Sequence, residues 1–106
     1  MEKILTKEEL TNVITNRNNV ILKFSAEWCQ PCKLLGSIIN DVIGEYNDVN
    51  FVECDVDDVD EELIKEYDIK NVPVMIFFQD GFQIDKTIGM IGREKLIEKL
   101  NKHYGK

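Results

Sequence analysis

Two cysteines three positions apart, Cys29 and Cys32, are the residues of this chain best placed to do chemistry. They lie in Trp28-Cys29-Gln30-Pro31-Cys32-Lys33, just after the apolar run Val20-Ile21-Leu22-Lys23-Phe24 and just before Leu34, Leu35, Ile38, Ile39, Val42 and Ile43. The run reads as a strand and the spaced residues as one face of a helix, so the thiols stand where a strand hands over to a helix N-terminus. The first N–H groups of a helix lack partners within it, and the macrodipole adds partial positive charge there. Both favour thiolate over thiol. Cys29, at the very start, gains most and is assigned as the nucleophile. Cys32 lies one turn inward on the same face, close enough to join Cys29 in a disulfide, and is the resolving thiol. Pro31 fits the first turn, where its missing N–H costs nothing and its φ is already helical.

The competing chemistry for such a pair is half of a zinc site, which needs two more ligands. Only Cys54 and His103 remain as sulfur or nitrogen donors, and neither has a second donor at ligand spacing, so redox use is the better reading and no metal is expected. Cys54 falls within an apolar run and reads as a small buried hydrophobe. His103 falls in the last turn of a helix, where a cation suits the dipole, and reads as a surface cap. The acidic run from Asp55 to Glu62 lacks the glycine that a calcium loop wants at its sixth position, where Asp60 stands. Carboxylates entering a helix N-terminus explain that run.

The elements that must hold the pair follow from periodicity. Lys3 to Leu5 reads as an edge strand. Thr6 with Glu9 forms a capping box for a helix carrying Leu10, Val13 and Ile14. Val20 to Phe24, apolar at nearly every position, reads as a central strand covered on both faces, with Lys23 as its one anomaly. The helix opened by the cysteines should run to about Gly44 or Tyr46, with a stop at Gly44. Phe51, Val52, Cys54 and Val56 mark a third strand, and Asp60 caps a helix bearing Leu63, Ile64 and Tyr67. Val74 to Phe78 and Phe82 to Ile88, joined by Gln79-Asp80-Gly81, read as a hairpin, and Glu94 to Tyr104 as the last helix. Strands alternating with helices and ending in a hairpin give an α/β architecture, a mixed sheet with helices on both faces.

The 106 residues make one ordinary domain, 1–106, large enough to bury a core without disulfide staples. A hydrophobic share of 43% excludes a disordered chain, and a net charge of −7 argues against nucleic acid and anionic lipid as partners. No apolar stretch reaches membrane-spanning length, and Met1-Glu2-Lys3-Ile4-Leu5 lacks the apolar region of a signal peptide. A cytoplasmic location is therefore expected, no membrane partner, and a monomer. Three cysteines in a reducing compartment point to catalysis and not to a disulfide framework.

In these residues the chain resembles the thioredoxin family. The match is Trp-Cys-x-Pro-Cys-Lys after an apolar strand, then Val72-Pro73 before a second apolar strand, then Asp80-Gly81 and Gly89, all in family order. The resemblance implies the thioredoxin fold, a central mixed five-stranded sheet flanked by four helices. It implies a protein-disulfide reductase and electron carrier that works through a redox-active Cys29-Cys32 disulfide with no bound cofactor. Its implied partners are disulfide-containing proteins and a thioredoxin reductase, NADPH- or ferredoxin-dependent. It also implies a cis Val72-Pro73 bond facing the disulfide, with Val72 offering backbone groups to an extended substrate. Trp28, Gln30, Pro31, Val72, Pro73, Ile91 and Gly92 would form the docking surface. Two other readings stay open, a thioredoxin-fold binding subunit with a regulatory disulfide and a more oxidising oxidoreductase.

Lys23 departs from the family, which usually carries a buried aspartate there to handle the proton of the second cysteine. Glu53 stands where a lysine is usual, as though the two charges were exchanged. One reading pairs Lys23 with Glu53 as a relay for the Cys32 proton. A one-residue slip of register would instead turn Cys54 toward Lys23. In another reading Lys23 snorkels its ammonium to the surface. Gln30 replaces the usual glycine between the cysteines, a position that tunes redox potential.

Overall fold

A strand whose residues are almost all apolar needs cover on both faces, and Asn19–Ser25 has it. The computed structural model describes residues 1–105. Its strands are β1 (Glu2–Lys3), β2 (Asn19–Ser25), β3 (Asn50–Asp55), β4 (Val74–Gln79) and β5 (Phe82–Ile88), in sheet order β1-β3-β2-β4-β5. β1 and β2 run parallel to β3, while β4 is antiparallel to β2 and to β5. The helices are α1 (Lys7–Asn16), α2 (Gln30–Val42), α3 (Glu61–Glu66) and α4 (Arg93–Tyr104). This is the expected α/β thioredoxin fold, a mixed sheet of five strands with four helices.

Strand alternation splits the core in two. Val20, Leu22 and Phe24 pack with Leu10 and Val13 of α1 and Leu63 of α3. Ile21 packs on the other face with Leu35, Ile39 and Val42 of α2 and Leu96 and Leu100 of α4. The period of two puts Lys23 on that second face, toward α2. Side chains such as Ile21, Leu22 and Phe24 are fully buried, each stabilising by about 1.5–3 kcal/mol, so the strand that leads into the cysteine pair is firmly held.

Local signals explain most boundaries. Thr6 caps α1 by accepting the Glu9 N–H at 3.1 Å, but Glu9 returns its carboxylate to the Leu5 N–H at 3.4 Å and not to the cap's own N–H. Asp80 and Gly81 both have positive φ, 51° and 88°, which makes the β4–β5 connection a type I′ hairpin turn. Gly105, at φ 73°, closes α4 by donating to the Asn101 carbonyl. Among the described residues, no helix is long and apolar enough to cross a membrane.

Other expectations need correction as well, beginning with the edge strand, which is Glu2–Lys3 and not Lys3 to Leu5. α2 stops at Val42 and gives way to a 3-10 turn, Ile43–Glu45, so Gly44 lies inside that turn and is not a left-handed stop. Tightening to i→i+3 bonds uses the Tyr46 N–H to satisfy the Ile43 carbonyl. β3 ends at Asp55, one residue before Val56, whose N–H still reaches Ser25 O at 2.9 Å. Asp60 occupies the N-cap of α3 without capping through its side chain.

Candidate active site

The Cys29 backbone is extended while Gln30 onward is helical, so Cys29 is the N-cap of α2 and Pro31 sits in its first turn. The Cys29 sulfur takes the place of a capping oxygen and accepts the backbone N–H of Cys32 at 3.2 Å. An N–H aimed at a sulfur favours its anionic form, as does the unpaired helix start around it. The two cysteines are joined as a disulfide, with Cα atoms 5.3 Å apart. Cys29 retains 4% of its surface and Cys32 only 1%. Ala26, Val56 and Val72 pack around them.

Val72-Pro73 is cis, as the resemblance implied, and the Val72 carbonyl oxygen lies 3.7 Å from Cys29 Sγ. Pro73 is buried behind it, and its own carbonyl accepts the Gly89 N–H at 2.8 Å. That bond ties the loop holding Ile91 and Gly92 to the Pro73 strand. Ile91 packs against the core under α2 and α4, and Gly92 is the N-cap of α4, one loop removed from the sulfurs. Gln30 and Pro31 are exposed on the first turn of α2.

Trp28 is 69% exposed. Its Nε1 donates to Asp57 Oδ2 at 2.9 Å, and Asp57 in turn donates its backbone N–H to Asp55 Oδ1. A groove of about 320 Å³ runs beside it between Trp28, Val56, Ile64, Ile69 and Val72. Asp57 is a site residue that sequence reasoning missed, because it stood within an acidic run explained as helix entry. An acceptor placed beside an exposed indole N–H becomes visible only when the loop after β3 is folded next to the loop before α2.

Beneath Cys32 lies the charge pair. The β2–β3 register sets Lys23 opposite Glu53 and Phe24 opposite Cys54, so Glu53 shares the face of Lys23 and Cys54 points the other way. Lys23, only 2% exposed, places Nζ 3.2 Å from Glu53 Oε2 and donates to the Cys32 carbonyl at 2.8 Å. Its head stays inside. Both side chains and Cys32 face a cavity of about 420 Å³ that Ser25 and Gly36 also line.

Cys54 is fully buried, and burial first, with the nearby Glu53 and Glu9 charges, pushes its thiol up to about 12. His103 is not a surface cap. Its side chain is largely buried and Nε2 stands 2.7 Å from Asp85 Oδ2 on β5, where Lys99 Nζ also lies at 2.7 Å. Among the described residues, no cluster of three or more His, Cys, Asp or Glu could hold a metal ion.

Known proteins match this arrangement. The family model described as Thioredoxin matches residues 2–102. The chain is 42% identical over 100 residues to a thioredoxin of Mycoplasmoides gallisepticum, covering 94% of this chain and 99% of that one. It is 34% identical over 87 residues to the mitochondrial thioredoxin-3 of Saccharomyces cerevisiae, covering 82% and 68%. The crystal structure of that yeast protein in its oxidized form superposes with a TM-score of 0.88 at 30% identity, over 96% of this chain and 94% of the other. Fasciola hepatica thioredoxin gives 0.88 at 28% identity, over 97% and 99%. With the Cys29/Cys32 pair at the active-site position, the chain belongs to the thioredoxin family and is a thiol-disulfide oxidoreductase of the protein-disulfide reductase type.

Proposed function

We propose that Cys29 is the attacking thiolate and Cys32 the resolving thiol of a dithiol exchange that reduces protein disulfides. The observation that carries this is the capping sulfur: Cys29 Sγ accepts a backbone N–H at a helix start and is the less buried of the two. Attack by Cys29 forms a bond to one substrate sulfur and releases the other as a thiolate. Cys32 then attacks Cys29 Sγ, the substrate sulfur leaves with the electron pair, and the internal disulfide closes. Two electrons pass to the substrate. The Cys32 proton passes to solvent by way of the Lys23 and Glu53 pair beside it.

An extended substrate segment docks along Val72 by adding its backbone to that of the chain, which the proximity of the Val72 carbonyl to Cys29 Sγ supports. Trp28, Gln30, Pro31 and Pro73 flank it, with Ile91 and Gly92 on the adjoining loop. A thioredoxin reductase, NADPH- or ferredoxin-dependent, returns the disulfide to the dithiol, so the protein serves as an electron carrier. We place it in the cytoplasm as a monomer, on its cysteine usage and acidic composition.

The test is reduction of a disulfide-linked protein in a turnover assay. Wild type should accelerate it, Cys29→Ser should fall to background, and Cys32→Ser should accumulate a covalent adduct with substrate. A wild type that stays at background with an intact dithiol overturns the reading.

A further inference from the structure

A buried lysine is normally costly, because its ammonium loses water, and it persists only where other groups replace that water. Lys23 has two such groups, Glu53 Oε2 at 3.2 Å and the Cys32 carbonyl at 2.8 Å. The pair is oriented. Its cationic end touches the residue that carries the resolving sulfur, while Glu53, with 20% of its side chain exposed, holds the far side. Room for the ammonium depends on α2 itself. A Cβ at position 36 would lie 3.3 Å from Lys23 Nζ, tighter than an ordinary contact, and the glycine there leaves that space open. Glycine inside a helix costs about 1 kcal/mol relative to alanine, so Gly36 is carried against local propensity.

We infer that Gly36 keeps open the seat in which Lys23 docks on the first turn of α2, and that this docked cation raises the thiolate fraction of Cys32. Both are positioning residues for the resolving step. The inference rests on the exchange proposed above and adds what controls its second half. In that half the Cys32 S–H gives its proton to solvent by way of the Lys23 and Glu53 pair, the Cys32–Cys29 bond forms, and the Cys29–substrate bond breaks with the electron pair leaving on the substrate sulfur. A cation near the sulfur favours the anion and lowers the thiol pKa. The charged side chains around the cavity are Lys3 on β1, Lys23 on β2, Glu53 and Asp55 on β3, Glu27 before α2, and Lys33 on α2, and Met1 with its terminal ammonium also lines it. Of these, Lys23 alone bonds to Cys32 itself.

The experiment follows thiolate absorbance of the reduced protein against pH, together with single-turnover release of product from the Cys29 mixed disulfide. Lys23→Met should raise the Cys32 midpoint by about one unit. It should also slow resolution at pH 7 by about threefold, since the tenfold loss of thiolate is partly offset by the greater nucleophilicity of a more basic thiol. Initial attack by Cys29 should change less than twofold. Lys23→Met/Glu53→Gln, which leaves no unpaired carboxylate to add its own repulsion, should show a smaller rise in the same direction and serves if the single variant does not fold. Gly36→Ala should shift the midpoint in the same direction by less, while raising helix stability. A purely structural role for Gly36 predicts the stability gain alone. Folded variants at positions 23 and 36 that leave the Cys32 midpoint and resolution rate at wild-type values overturn the inference. A wild type that never forms or resolves the mixed disulfide overturns the exchange reading instead.

Discussion

Trp28 Nε1 donates to Asp57 Oδ2 at 2.9 Å, a bond that joins the loop before α2 to the loop after β3 across the mouth of the site. Because the indole is largely exposed, packing alone does not hold it, and the bond fixes which way the ring faces. Asp57→Ala should therefore lower kcat/KM for a protein disulfide by about fivefold, the equivalent of roughly 1 kcal/mol of lost orientation. Asp57→Asn keeps an acceptor oxygen and should retain most of the activity. Urea midpoints close to wild type for both would assign the loss to the site. Unchanged kcat/KM in Asp57→Ala would mean the ring needs no tether.

The same bond shows where sequence stops being informative. The strand β2, the amphipathic α2 and α4, and the hairpin each carry their signal within a dozen residues, so periodicity and turn chemistry disclose them. The cysteine pair at a strand-to-helix junction is equally local. Partnerships across the sheet are not. Glu53 faces Lys23 because of the parallel β2–β3 register, which a one-residue slip would have reversed, and nothing local to either strand sets it. Nothing in the sequence sets Gly36 apart within its helix, and only the fold brings the Lys23 ammonium against it. His103 shows the same limit from the other side: the pattern of α4 gives its place on the helix, but only the folded β5 supplies the carboxylate that draws it inward.

Cys54 should be chemically silent in the native state. It is fully buried, and its thiol is pushed up to about 12, first by burial and then by the Glu53 and Glu9 charges. Reactivity follows thiolate fraction and access, and both are low here. Alkylation of the fully reduced protein at pH 8 should modify Cys29 rapidly and Cys54 only on the timescale of unfolding. Mass analysis showing Cys54 modified as fast as Cys29 would contradict the burial.

At the β4–β5 turn, Gly81 holds φ 88°, with its nearest obstacle, the Ile14 carbonyl oxygen, at an ordinary 3.7 Å from an added Cβ. The cost of a side chain there is conformational and not steric. Gly81→Ala should destabilise by about 1 kcal/mol in urea unfolding. Asp80, at φ 51°, occupies the other left-handed position, where Asn is equally tolerated, so Asp80→Asn should change stability by less than about 0.5 kcal/mol. The opposite ranking would show that the turn is held by side-chain contacts.

Asp85 ties the hairpin to the last helix through a single oxygen, Oδ2, shared by Lys99 and His103. Burial pushes its carboxyl up, but hydrogen bonds from Lys99, His103 and the Lys86 N–H, together with the Lys99 charge, outweigh that and hold it at about 2. A carboxyl depressed by folding stabilises the protein above its unfolded pKa, and that contribution disappears as pH falls from about 4 to about 2. With 22% of the side chain exposed, solvent screening reduces the contribution to on the order of 1–2 kcal/mol. Asp85→Asn should accordingly be less stable than wild type by that amount at pH 7, with the gap closing over the same acidic interval. Chemical denaturation of both proteins from pH 7 down to pH 2 measures this directly. A gap that stays constant across the interval would show that Asp85 acts through hydrogen-bond geometry, which Asn disturbs at every pH, and not through its charge.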